Sequence, residues 1–357
     1  MLFKEKPARE GGENMHRRLR FFRVGLILTA LALIAGACSG GVGQKGPSSE
    51  GEQAEGPICL VPKVSGIPYF NASEEGAQEA ADELGVELDY TGPTEARAAN
   101  QVQIIEQMTQ QRCSAISVAA NDPDALAPAM HSAAEAGVAT SAWDADVSED
   151  AREYFVNQAT FEAIGQQLVD IMAEQTGGQG EFLVVTGSLT APNQNSWIEE
   201  MEKHMAAEYP EMSIASIEPG EEDLQTGIDV TTNYLQANPD TAGVFGITTV
   251  ALPGVAEAVQ QLGRAGEVPV TGLGTPNDNR EYVEAGTIQE FVLWNPIDLG
   301  YLAVHVANAQ ATGNMPSEEG ATFEAGRLGE VELIGPDEIL LGPPLVFTEA
   351  NIDDYNF

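Results

Sequence analysis

Residues Ala115–Asp146 read A-I-S-V-A-A-N-D-P-D-A-L-A-P-A-M-H-S-A-A-E-A-G-V-A-T-S-A-W-D-A-D. Ala115–Ala119 is a short apolar run of strand length. Asn121-Asp122-Pro123 then starts a helix over Pro123–Ala136, Gly137 stops it, and Val138–Ala142 is a second apolar run. Two short apolar runs joined by one amphipathic helix make a βαβ unit, which demands a parallel sheet.

Outward from this unit the same alternation fills the chain. Upstream lie strand Ile58–Lys63, a helix to Leu84 capped by Ser73, strand Val86–Tyr90 and helix Glu95–Gln111. Downstream, Tyr154–Asn157 is a short extended piece, after which the pattern restarts. Helix Glu162–Gln175, strand Phe182–Thr186, helix Gln194–Glu208, strand Ser213–Ile217 and helix Leu224–Ala237 come first. Strand Gly243–Ile247, helix Leu252–Leu262, strand Val268–Gly272 and helix Asn279–Ala285 follow. Strand Ile288–Trp294 and helix Leu299–Ala311 complete the set. The expected fold is α/β, two doubly wound parallel-sheet lobes divided near Asn157.

Charge narrows the function. Sixteen Lys and Arg face 55 Asp and Glu in 357 residues, a formal charge of −39. Such a surface cannot displace counterions from phosphates, which excludes a general nucleic-acid binder. Three cysteines and four scattered histidines supply neither a disulfide scaffold nor a metal centre.

The front end reads as an address. Met15–Arg23 carries four arginines and no acid, Val24–Ala37 is uncharged and apolar, and A-G-A-C ends at Cys38. This is a secretory signal over residues 1–37, with Met15 as the expected true start. The run is short for a membrane span. Ser39–Gly56, rich in Gly, Ser and Glu, has nothing to bury. As a flexible tether its reach is about 23 Å. Cleavage before Cys38 leaves nine basic residues against 52 acids, a charge of −43.

Ligands on doubly wound sheets sit beyond the carboxyl ends of strands. Those ends carry Lys63 with Tyr69 and Phe70, then Trp143 with Asp144, Asn193-Gln194 with Trp197, Thr248-Thr249, and Trp294-Asn295. A flat aromatic face covers the C–H face of a sugar ring, while amides and a carboxylate bond its hydroxyls. No catalytic set stands against this reading. His131, His204 and His305 fall within helices, Ser188 lacks the second glycine of a nucleophile elbow, and Gly272-Leu273-Gly274 lacks the third glycine of a dinucleotide fingerprint. The protein is read as a non-enzyme, with no cofactor and no metal.

Seven pieces carry a resemblance. They are V-P-K-V-S-G-I-P-Y-F from Val61, Y-T-G-P-T-E from Tyr90, V-A-A-N-D-P-D-A-L from Val118 and A-W-D-A-D from Ala142. N-Q-N-S-W from Asn193, L-W-N-P-I-D-L-G-Y from Leu293 and the closing N-I-D-D-Y-N-F complete them. Together they resemble the sugar-type periplasmic binding proteins of ABC importers, closest to the rhamnose-binding and autoinducer-2-binding branch. The resemblance implies two lobes joined by three crossings, with one ligand in the cleft between them. The expected crossings are near Asn157, near Asn295 and before Arg327. The first lobe is then residues 57–157 plus about 295–324, and the second 158–294 plus about 325–357.

Carried over by motif, Lys63, Asp144, Asn193 and Gln194 contact ligand oxygens. Tyr69, Phe70 and Trp294 wall the ring, with Asn295 beside them, and Thr248-Thr249 closes the far side. Autoinducer-2 binders have Asp-Gln at the Asn193-Gln194 position and a Pro-Asp-Ala type turn at Ile247–Thr249. Both departures favour a deoxyhexose such as rhamnose, with autoinducer-2 second. The implied partners are the small sugar-like ligand and an ABC permease with its ATPase. The A-G-A-C ending at Cys38 resembles a bacterial lipobox, which implies lipid on Cys38 as the only hold on the outer face of the membrane. A monomer is expected, with presentation to a chemosensory receptor as the alternative to import. Cys59 and Cys113 start neighbouring strands in a common sheet order. Two buried thiols are the plainer expectation, and a disulfide the other.

Overall fold

The computed structural model describes residues 55–357. The signal sequence, Cys38 and most of the tether lie outside them. The first sheet is built from β1 (Ile58–Val61), β2 (Leu88–Tyr90), β3 (Ala115–Val118), β4 (Ala139–Trp143) and β5 (Tyr154–Asn157). Helices α1 (Pro68–Leu84), α2 (Ala98–Gln111) and α3 (Pro123–Glu135) connect its first four strands. The chain then enters α4 (Phe161–Thr176), β6 (Gln179–Thr186), α5 (Pro192–Glu208), β7 (Glu211–Pro219) and α6 (Leu224–Ala237). It continues through β8 (Gly243–Gly246), α7 (Ala251–Gln261), β9 (Val270–Gly272), α8 (Pro276–Glu284) and β10 (Glu290–Leu293). After α9 (Pro296–Ala311) come β11 (Thr322–Glu324), β12 (Glu330–Glu332), β13 (Glu338–Leu340) and β14 (Leu345–Thr348).

Two parallel sheets result. The first has the order β13-β5-β4-β3-β1-β2 and the second β7-β6-β8-β9. A parallel bridge from Leu273 to Val292 continues the second sheet to β10, which pairs antiparallel with β14. Both faces of the first sheet are covered. In β1, Ile58 and Leu60 join the large core shared with α1 and α9, while Cys59 and Val61 face Ile105, Met108 and Met130 from α2 and α3. Burial on both faces explains why β1 and β3 read as unbroken apolar runs rather than as alternation.

Helix α9 returns to the first lobe and packs against α1. A Cβ on Gly76 would stand 1.8 Å from the Ile297 carbonyl oxygen, and one on Gly300 would stand 1.9 Å from that of Ser73. Only glycine lets these two helices approach so closely, each at the other's backbone.

The structure corrects three expectations. Helix α1 begins at Pro68, not near Ser73. Proline needs no N–H partner at a first helical position, and the Ser73 hydroxyl donates back to the Tyr69 carbonyl at 3.0 Å. Tyr69 and Phe70 thus stand on the first turn of a helix. The third crossing, expected before Arg327, lies between β13 and β14, because β13 pairs with β5 of the first sheet. Short strands with weak alternation, flanked by Gly and Pro, hid it. Cys59 and Cys113 form a disulfide, their Cα atoms 6.0 Å apart, rather than two thiols.

Candidate functional site

The carboxyl ends of both sheets face one cavity between the lobes. Lys63, Tyr69, Phe70 and Asp144 reach it from the first lobe, and Asn193, Trp197, Glu222 and Thr248 from the second. Gln194, Thr249 and Trp294 also line it, with Ile67, Ile247, Leu273 and Leu293 as apolar wall. It is a small cavity, about 40 Å³.

Lys63 leaves the end of β1 and is 4% exposed. Its backbone carbonyl accepts from Asn121 Nδ2 at 2.8 Å, and its Nζ donates to Asn193 Oδ1 across the cleft at 2.8 Å. Asp144 Oδ2 lies 3.8 Å from the same ammonium. Asp144 ends β4 with φ at 61°, an uncommon conformation for a side chain other than glycine. Its backbone N–H donates to Val156, and this hold on β5 fixes the turn.

A relay of donors sets the Asp144 carboxylate. Trp294 Nε1 donates to the Tyr69 hydroxyl at 2.8 Å, and that hydroxyl donates to Asp144 Oδ1 at 2.6 Å. Asn193 Nδ2 donates to the Asp144 carbonyl at 3.2 Å. Burial pushes the Asp144 carboxyl upward, opposed by the nearby Lys63 charge and by the bond from Tyr69. Burial likewise lowers Lys63, opposed by Asp144 and Glu222. Each charge is held by the other.

On the second lobe Pro192 opens α5, and Asn193 Oδ1 accepts from the Gln194 backbone N–H at 2.9 Å. Gln194 Oε1 accepts from the Thr186 hydroxyl at 2.6 Å and the Gly187 N–H at 2.8 Å. Its carbonyl oxygen is therefore spent on the β6–α5 loop, and its Nε2 donates to Glu222 Oε1 at 3.2 Å. The Thr248 hydroxyl accepts from the Ala251 N–H at 3.0 Å at the start of α7.

Of the residues expected at the site, Lys63, Tyr69, Phe70, Asp144, Asn193, Gln194, Thr248, Thr249 and Trp294 share this cavity. Asn295 does not. Its Oδ1 caps α9, accepting from Ile297 N–H at 3.0 Å, as a residue before an N1 proline can. Trp143 is also absent from the lining. It is fully buried in the first lobe, edge-on to Phe70 with centroids 5.7 Å apart. Trp197, one of the strand-end aromatics, lines the cavity although the motif carry-over does not name it, and Glu222 was not expected there. The Trp197 indole N–H, buried in the wall, has no partner among the described residues. The Glu222 carboxyl is pushed up by burial and by the Asp144 charge, and pulled down by Lys63, Gln194 and Thr248. A turn of Gly220-Glu221-Glu222-Asp223 looks like any solvated acidic loop in sequence, so no local signal marked it.

The periplasmic binding protein domain is matched over residues 58–315. Among curated proteins, the D-allose-binding periplasmic protein of Escherichia coli is 25% identical over 281 residues, covering 74% of this chain and 88% of that protein. Among solved structures, a solute-binding protein of an ABC transporter from Clostridium phytofermentas with bound L-rhamnose is 30% identical with a TM-score of 0.81. It covers 85% of this chain and 98% of that one. LsrB from Clostridium saccharobutylicum in complex with AI-2 is 29% identical with a TM-score of 0.80, covering 84% and 100%.

Proposed function

The chain belongs to the periplasmic binding protein family, the extracytoplasmic sugar-binding components of ABC importers, and we propose that it captures a single deoxyhexose such as rhamnose. The observation that carries this reading is the buried set of Lys63, Asp144 and Asn193 facing the rings of Tyr69, Phe70, Trp197 and Trp294. Charged and amide groups on one side take hydroxyls, and the aromatic and aliphatic wall takes C–H and methyl groups. The orphaned Trp197 N–H supplies one more donor for a ligand oxygen. A buried donor without a partner is costly unless the ligand satisfies it.

A second reading has its own support. Asn193 replaces an acid, but Glu222 returns a second carboxylate to the cavity. Two carboxylates suit the extra hydroxyls of hydrated autoinducer-2, and the two neighbouring structures are about equally similar. Calorimetric titration with L-rhamnose, D-allose, D-ribose and borate-free autoinducer-2 decides between them. Tighter binding of autoinducer-2 than of every sugar overturns the deoxyhexose reading. We further propose that the ligand is delivered to a permease by a monomer anchored through lipid on Cys38.

A further inference from the structure

Glu222 sits in a costly position. Glu221 and Glu222 both adopt left-handed backbone, with φ at 57° and 50°. Glycine would take this turn without strain, and side chains persist in it where function over-determines them. A second feature clears the same path. A Cβ on Gly187 would stand 2.0 Å from Glu222 Oε1, so a side chain there would displace the carboxylate from this position. Gln194 Nε2, donating at 3.2 Å, then holds it against the cavity. A carboxylate offers about four acceptor sites, and this one donor leaves most of them free.

We infer that Glu222 is a ligand-binding, specificity-determining residue, the acceptor that the second lobe sets opposite Asp144 of the first. The inference rests on the sugar-binding function proposed above. Each lobe then brings one carboxylate to the ligand, with Lys63 between them. The site selects a ring carrying hydroxyls on two edges, because an analogue lacking the second set leaves Glu222 desolvated and unanswered. An apolar or singly hydroxylated ring gains nothing from closure against this side.

The test titrates L-rhamnose, D-allose, D-ribose and borate-free autoinducer-2 into wild type, Glu222→Gln and Glu222→Gly. The unliganded melting temperature of each protein is measured alongside. Both variants should bind the wild-type ligand at least about tenfold more weakly, the scale of one charge-assisted bond. Unliganded Glu222→Gly should melt within about 2 °C of wild type or above it, since glycine suits the left-handed turn. Glu222→Gln binding within twofold of wild type overturns the inference and leaves the function standing. Weak binding together with a Glu222→Gly melting temperature well below wild type also overturns it, making Glu222 a brace for the loop. A wild type that binds none of the four compounds overturns both.

Discussion

Lys63 and Asn193, 130 positions apart and on opposite lobes, are joined by a hydrogen bond of 2.8 Å from Nζ to Oδ1. With Asn193 Nδ2 donating to the Asp144 carbonyl and the Thr190 hydroxyl to the Asn121 carbonyl, it latches the cleft from both sides. Of the bridging residues, Lys63, Asp144 and Asn193 also face the cavity. A ligand touching both lobes would favour the state in which they meet, so closing and binding are expected to be one event.

Compaction follows from that coupling. Saturating ligand should reduce the radius of gyration in small-angle scattering. Lys63→Met, which loses the bond to Asn193, should bind at least about tenfold more weakly and need correspondingly more ligand to compact. An unchanged radius of gyration at saturation would count against hinge closure.

Asp144→Asn tests the charge pair without disturbing the turn, since asparagine tolerates a positive φ. Ligand affinity should fall at least about tenfold. Stability should fall by about 1–3 kcal/mol as Lys63 loses a buried counter-charge. Adding Lys63→Met should restore much of the melting temperature and none of the binding. If the double variant regains affinity, Asp144 does not contact the ligand.

Glu222 gives a pH dependence with a definite sign. Its carboxyl lies above its ordinary 4.5 in the folded protein, chiefly through burial. The unfolded chain thus loses this proton first, and the contribution to stability is full below the ordinary value and lost as pH rises through the raised one. Unliganded Glu222→Gln should therefore melt above wild type at about pH 8, with the gap closing by about pH 4. Asp144 is shifted the same way, so the comparison is between variant and wild type at each pH. A gap that widens on acidification would reverse the assigned direction.

The Cys59–Cys113 disulfide closes a sequence separation of 54. Loop entropy of that length corresponds to about 4 kcal/mol at most. Reductant, or the Cys59→Ser/Cys113→Ser double variant, should lower the melting temperature by several degrees. Binding at 25 °C should persist, because neither cysteine lines the cavity. Equal melting with and without reductant would show that the bond adds no stability.

Membrane attachment is tested at Cys38, outside the described residues. Cys38→Ser should move the exported protein from the membrane fraction to the soluble one. Retention in the membrane fraction would remove the proposed lipid anchor.

Local information was enough for the two α/β lobes and for the strand ends that bear Lys63, Asp144 and Asn193. Apolar runs of strand length, helix-period stripes and proline or Asp starts are properties of neighbouring residues. A carboxyl-end rule then points to the loops without knowledge of distant contacts. What lay beyond sequence was decided by partners far along the chain. Asn295 became a cap because Pro296 opens a helix there, and Trp143 turned into the core because Phe70 and Tyr90 pack against it. The third crossing moved past Leu340 because β5 offered β13 an unpaired edge. Glu222 joined the site through Gly187 and Gln194, neither of them its sequence neighbour. A left-handed turn leaves little mark in composition when the residues adopting it are glutamates, and its direction is set by the cavity it faces.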